Sequence, residues 1–161
     1  MYKRQVYTSR YSNPELRTGK YTAVRISLGT PRWNIGYSLD AEMPDLMPFG
    51  LLHKFELYED FERAYFARLD QKGVKRILSQ LQRFEGMGKD VVLLCYEDIR
   101  KGPDDWCHRR TFADWWQQRT GEVIPELFDP TPDPAKPRQA PSKRSLETPP
   151  TTSPIEQLAL F

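Results

Sequence analysis

Along the first 130 residues apolar side chains recur with two different periods, and beyond them the apolar pattern gives out. Gln5 to Ser9 and Tyr21 to Ser27 are short strand-like runs, the second holding Tyr21, Val24 and Ile26 and ending at Gly29-Thr30-Pro31. Tyr58, Phe61, Tyr65 and Leu69 then recur at helical spacing, and after Gly73 so do Val74, Ile77, Leu78, Leu81 and Phe84. Two amphipathic helices are predicted there. Val91-Val92-Leu93-Leu94-Cys95 is a continuous apolar run, which suits a strand covered on both faces in a parallel sheet.

After Gly102-Pro103, Asp104 or Asp105 is expected to cap a helix that turns Phe112, Trp115 and Trp116 inward and ends near Gly121. Glu122 to Leu127 is expected to form a last strand. Arg32 to His53 has no clear period, and Pro44 and Pro48 suggest a long surface loop overhanging a site. Strands alternating with crossover helices point to an α/β class, a Rossmann-like three-layer domain with a mostly parallel sheet over residues 1–130.

The 161-residue length fits one ordinary domain with a remainder. That remainder begins near Pro130. Residues 131–161 hold seven of the 14 prolines, and their only aromatic residue is Phe161. Such a composition cannot bury enough apolar surface to offset its ordering entropy, so residues 131–156 are expected to form a disordered Pro-rich linker.

The formal net charge of +2 is too small for a protein that coats nucleic acid. No apolar run reaches the length of a membrane span, and the polar opening lacks the apolar stretch of a signal peptide, so a cytoplasmic protein without membrane partners is expected. Two cysteines, Cys95 and Cys107, are too few for a disulfide framework, and both are expected as thiols.

Candidate chemistry gathers where ligands sit in open parallel sheets, beyond the carboxyl ends of the strands. Cys95-Tyr96-Glu97 ends the apolar strand, and Cys107-His108-Arg109 opens the next helix. A thiol at a helix start feels the positive end of the dipole, which makes Cys107 a candidate nucleophile. His108 is a candidate proton shuttle and Glu97 a candidate acid or base. Arg109 could grip an anion through two hydrogen bonds, with Arg32 as a further cation and Cys95 lining the pocket. The bland alternatives are a buried structural Cys95 and a Glu97 that merely pairs with Arg109. A zinc site from Cys95, Cys107, His108 and His53 is disfavoured, because adjacent residues such as Cys107 and His108 seldom both reach one metal. No metal is expected, and the cofactor is unknown.

Leu93-Leu94-Cys95-Tyr96-Glu97, followed ten residues later by Cys107-His108-Arg109, resembles the family catalogued as domain of unknown function 488. The resemblance takes in Arg25-Ile26-Ser27, Pro31-Arg32 and the helix with Tyr65, and spans about residues 5–127. It implies a Rossmann-like fold and a shared pocket at Cys95, Glu97, Cys107, His108 and Arg109, but no reaction. The family's Asp-Val-Arg string is replaced by Ala23-Val24-Arg25, so any role of that acid is missing.

Gln157-Leu158-Ala159-Leu160-Phe161 resembles the bacterial peptide that docks on the DNA sliding clamp, usually Gln-Leu-Ser/Asp-Leu-Phe. Gln157 can donate and accept hydrogen bonds at a rim, Leu158 can fill a shallow dent, and Leu160 with Phe161 can plug an apolar pocket.

The leading expectation is therefore a DNA replication or repair accessory protein, tethered to the clamp near the fork, whose domain binds an anionic nucleotide or nucleic-acid-like ligand. The alternatives are a non-catalytic clamp competitor encoded by a phage or mobile element, and an enzyme unrelated to DNA with a dispensable tail. An open cleft at Cys107, His108 and Arg109 near Glu97 would favour the first, a filled core the second.

Overall fold

A computed structural model describes residues 5–101 and 106–134. Four parallel strands form one sheet: β1 (Val6–Arg10), β2 (Tyr21–Arg25), β3 (Ala41–Glu42) and β4 (Asp90–Cys95), in the order β1-β4-β2-β3. As its unbroken apolar run requires, β4 is central, with Leu93 opposite Thr8 of β1 and Val24 of β2. The α/β class expected from the sequence is the class observed.

Alternation along β4 sends Val91 and Leu93 to one face and Val92 and Leu94 to the other. On the first face they join Val6, Val24 and Ile26 in a core with α1 (Tyr58–Lys72), α2 (Val74–Glu85) and α3 (His108–Thr120). The helices contribute Phe61, Tyr65, Leu69, Ile77, Leu81, Phe112, Trp115 and Trp116 to it. Gly73 alone separates α1 from α2. Its φ of 89° and ψ of 148° belong to a region that only glycine enters cheaply, so the chain turns there without a loop.

On the second face Val92, Leu94 and Ala23 pack with Tyr11, Leu16, Ile35 and Leu127. The cover there is a 3-10 turn (Pro14–Thr18) and loop segments, so among the described residues no α-helix forms the expected third layer.

Three further expectations are corrected. Glu122 to Leu127 is not a strand: only a single bridge from Glu126 to Thr8 forms, flanked by bonds from Thr8 N to the Pro125 carbonyl and from Leu127 N to the Thr8 carbonyl. Arg32 to His53 is not surface loop throughout, because β3 and a 3-10 turn (Pro44–Leu46) place Met43, Leu46 and Met47 in the interior. The cap of α3 is Cys107, in extended conformation, rather than an aspartate. Asp104 and Asp105 lie outside the described residues, as do residues 135–161 with the clamp peptide and all of the expected linker beyond residue 134. Of a second unit only residues 99–101 and 132–134 are described, and they hold a 3-10 turn (Ile99–Lys101).

Candidate functional site

Because the strands are parallel, their carboxyl ends share one edge, and the sequence's chemical residues gather there. Cys95 is the last residue of β4 and follows Val91 and Leu93 onto the helix face. Cys107 caps α3 and His108 is its first residue. The donor atoms of Cys95, Cys107 and His108 all lie within 4.8 Å of one another, and all three residues are buried. The expectation that neighbours Cys107 and His108 diverge is overturned. Cys107 has φ −137° and ψ 143° while His108 is already helical, and this change of conformation between them turns both side chains to one centre. His53 lies on an exposed turn at φ 61°, outside the cluster.

His108 is held on two sides. Nε2 lies 2.8 Å from the Ile26 carbonyl, which can only accept, so Nε2 carries the proton and Nδ1 faces the thiols. Nδ1 is 3.4 Å from Cys95 Sγ and 3.8 Å from Cys107 Sγ. The ring of Tyr65 meets the imidazole edge-on at 5.9 Å, and Tyr65 stacks on Phe61, which in turn packs on Trp106. Glu97 is exposed as a residue, yet its carboxylate turns in and accepts from Cys95 Sγ at 3.4 Å.

The electrostatics separate the two sulfurs. Burial pushes the Cys95 thiol well above its ordinary range. Burial also opposes ionisation of Cys107, but hydrogen bonding from Cys95 and the positive charge of nearby Arg109 outweigh it and hold that thiol well below. Desolvation, then the charge of Cys107, raises the Glu97 carboxyl. Such an arrangement can polarise a sulfur nucleophile or enclose a small cation.

Arg109 is not offered to an outside anion. It is fully buried, and Nε and Nη2 donate to both carboxylate oxygens of Glu126, the closest contact being 2.7 Å. Its Nη1 is buried without a hydrogen-bond partner among the described residues. Arg109 was expected to hold an anion, with pairing to Glu97 only as the bland alternative. Glu126 went unnoticed because nothing local links positions 17 apart.

Arg32 lies elsewhere, on the rim of a cavity of about 540 Å³ lined by Gly29, Thr30, Arg32, Trp33 and Tyr96. Tyr96 stands 5.0 Å from Tyr11 and 6.1 Å from Trp33, ring centre to ring centre. The loop beneath is braced: Tyr11 donates to Ser27 Oγ at 2.6 Å, Ser27 donates to the Gly29 carbonyl at 2.7 Å, and Arg25 donates to the carbonyls of Ser27 and Leu28. Burial pushes the Tyr11 hydroxyl far above its ordinary range, so it stays a neutral donor. A Cβ at Gly29 would meet the Tyr96 hydroxyl at 3.3 Å, so glycine lets that ring settle close over the loop. Sequence reasoning picked Arg32 but missed Trp33 and Tyr96; their signal was the aromatic residue next to each chosen position.

Cys95, Glu97, Cys107 and His108 thus come together, Arg109 joins them as a buried neighbour, and Arg32 stands apart. Both thiols are free, as expected. No helix among the described residues is long and apolar enough to cross a membrane. No family model, no curated protein and no solved structure matches the chain.

Proposed function

We propose that the chain is a DNA replication or repair accessory protein, docked on the bacterial sliding clamp through Gln157, Leu158, Leu160 and Phe161, whose α/β domain binds an anionic nucleotide or single-stranded nucleic-acid-like ligand. The observation that carries the ligand half is the rim, where the Arg32 cation stands beside the exposed rings of Trp33 and Tyr96. Aromatic faces stack bases without sequence preference and a guanidinium pairs with phosphate, so this combination suits a ligand with both a base and a charge. Its place at the carboxyl edge of a parallel sheet is where Rossmann-like folds take ligands, which also supports the proposed kinship with the domain of unknown function 488 family. The docking half rests on the sequence pattern at 157–161 alone.

Burial of Cys107, His108 and Arg109 favours a second reading, a non-catalytic module that only occupies the clamp. Anisotropy of labelled single-stranded oligonucleotide and nucleotide with the full chain separates the two. Salt-dependent binding lost in Arg32→Ala supports the first, and no binding leaves the second. For the docking half, calorimetry of the full chain against a purified bacterial clamp is the test. Phe161→Ala is expected to weaken binding by more than about 2 kcal/mol, roughly thirtyfold, because a buried aromatic anchor dominates such peptides. Gln157→Ala is expected to cost only about 0.5–1.5 kcal/mol. An unchanged affinity in Phe161→Ala refutes clamp docking through this peptide.

A further inference from the structure

We propose that Cys95, Cys107 and His108 form a zinc(II) site, with a fourth position on the side of Glu97. Three thiol and imidazole donors converging inside a core is the first ground, since all their donor atoms lie within 4.8 Å of one another. Spacing is the second. Zinc binds sulfur at about 2.3 Å and nitrogen at about 2.0–2.1 Å, so tetrahedral angles separate the two donors by about 3.6 Å. The observed separations from His108 Nδ1 are 3.4 Å to Cys95 Sγ and 3.8 Å to Cys107 Sγ, on either side of that value. Glu97 Oε1, 3.4 Å from Cys95 Sγ, borders the fourth position, which is left for an outside ligand such as water.

The surroundings of the imidazole give a third ground. A metal-binding histidine normally donates its other ring N–H to a carbonyl or carboxylate, which fixes the tautomer and aims the lone pair. The Ile26 carbonyl does this at 2.8 Å, and the edge-on ring of Tyr65 limits rotation. Charge is the fourth. Zinc(II) binding by two thiols releases two protons and leaves two thiolates, one neutral imidazole and a dication, a group with no net charge. A neutral group is the kind that a buried site tolerates. The guanidinium of Arg109, its Nη1 unpartnered among the described residues, lies next in sequence to His108 and adds a field that favours sulfur anions.

Two thiolates and one imidazole select a borderline-soft cation over calcium or magnesium. Three protein ligands with an open fourth position match catalytic rather than closed structural zinc. The site does not depend on the nucleotide or clamp readings, and it can stand or fall alone.

The reduced, metal-stripped full chain is titrated with cobalt(II) as a spectroscopic substitute for zinc. The expected result is one cobalt per chain, near-ultraviolet charge transfer from thiolate, intense visible bands of tetrahedral coordination, and bleaching of both by one equivalent of zinc. Cys95→Ser and Cys107→Ser should each lose charge-transfer intensity, and Cys95→Ser/Cys107→Ser should abolish it. If those variants do not fold, the unaltered chain decides. Equilibrium dialysis should then retain one zinc per chain, and zinc should raise the melting midpoint, by mass action on the folded state, where chelator lowers it. No tetrahedral spectrum with reduced wild-type protein, an undiminished spectrum in the double variant, or dialysis without retained zinc overturns the proposal.

Discussion

Cys95 and Tyr96 are neighbours in sequence, yet they open onto chemically different places. Cys95 continues the inward alternation of β4 beneath α3 and ends 3% exposed, among Cys107, His108 and the ring of Tyr65. Tyr96 turns to the loop-covered side and is 37% exposed, beside Trp33 at 48%. On the helix face almost every polar group finds its partner inside the protein, Arg109 on Glu126 and His108 on the Ile26 carbonyl. On the loop face hydrogen bonds brace the backbone and leave the aromatic faces outward. The first place can enclose an ion, and the second can take a molecule. One strand end thus supplies two kinds of site because side-chain direction reverses at each residue.

The largest expected effect tests whether the helix face is closed. Arg109→Ala removes a fully buried guanidinium and strips Glu126 of two donors. Breaking such a pair from one side is expected to cost about 3–5 kcal/mol, which urea unfolding of the variant and wild type would measure. A loss under about 1 kcal/mol would mean that water already reaches the pair, and the contrast between the faces would fail.

Next in size are the rim residues, for which the effects should appear in binding and not in stability. Trp33→Ala is expected to weaken oligonucleotide binding by about 1–3 kcal/mol, the worth of one stacked base. Its unfolding midpoint should barely move, since exposed substitutions usually lie within about 0.5 kcal/mol of neutral. Anisotropy paired with denaturation reads both. A variant that loses stability but keeps affinity would make the rim a packing feature.

The regions also differ in how far the sequence disclosed them. Three of the four strands, the three helices and the meeting of Cys95 with Cys107 and His108 were legible, because period and parallel topology are local signals that fix which ends coincide. The turning of Cys107 and His108 to one centre was not, since it depends on an extended residue meeting a helical one at a cap that composition placed at Asp104 or Asp105. Neither was Glu126. Strand-like residues at 122–127 suggested a ladder, whereas the segment makes one bridge and spends its carboxylate on Arg109 and Thr8. Met43, Leu46 and Met47 were hidden in the same way, because their core contacts have no period to announce them.

The smallest effect sharpens the comparison through a second arginine–carboxylate pair. Asp129 accepts from Arg10 Nε at 2.6 Å and from Thr131, and both side chains keep some exposure, unlike Arg109. Burial alone would raise the Asp129 carboxyl, but hydrogen bonds from Arg10 and Thr131 outweigh it and hold the group below the ordinary carboxylate range. A depressed folded value means that the unfolded chain binds the proton more readily, so stability falls as pH falls. The contribution is complete above the unfolded value of about 3.9 and is lost as the solution is acidified through the folded value. Asp129→Asn should therefore be less stable than wild type at neutral pH, by about 1 kcal/mol or less for a partly exposed pair. The two unfolding curves should converge in acid. Urea midpoints of both proteins across that range measure the gap, and a gap that stays constant or widens on acidification would show that Arg10 does not hold Asp129 in its charged form.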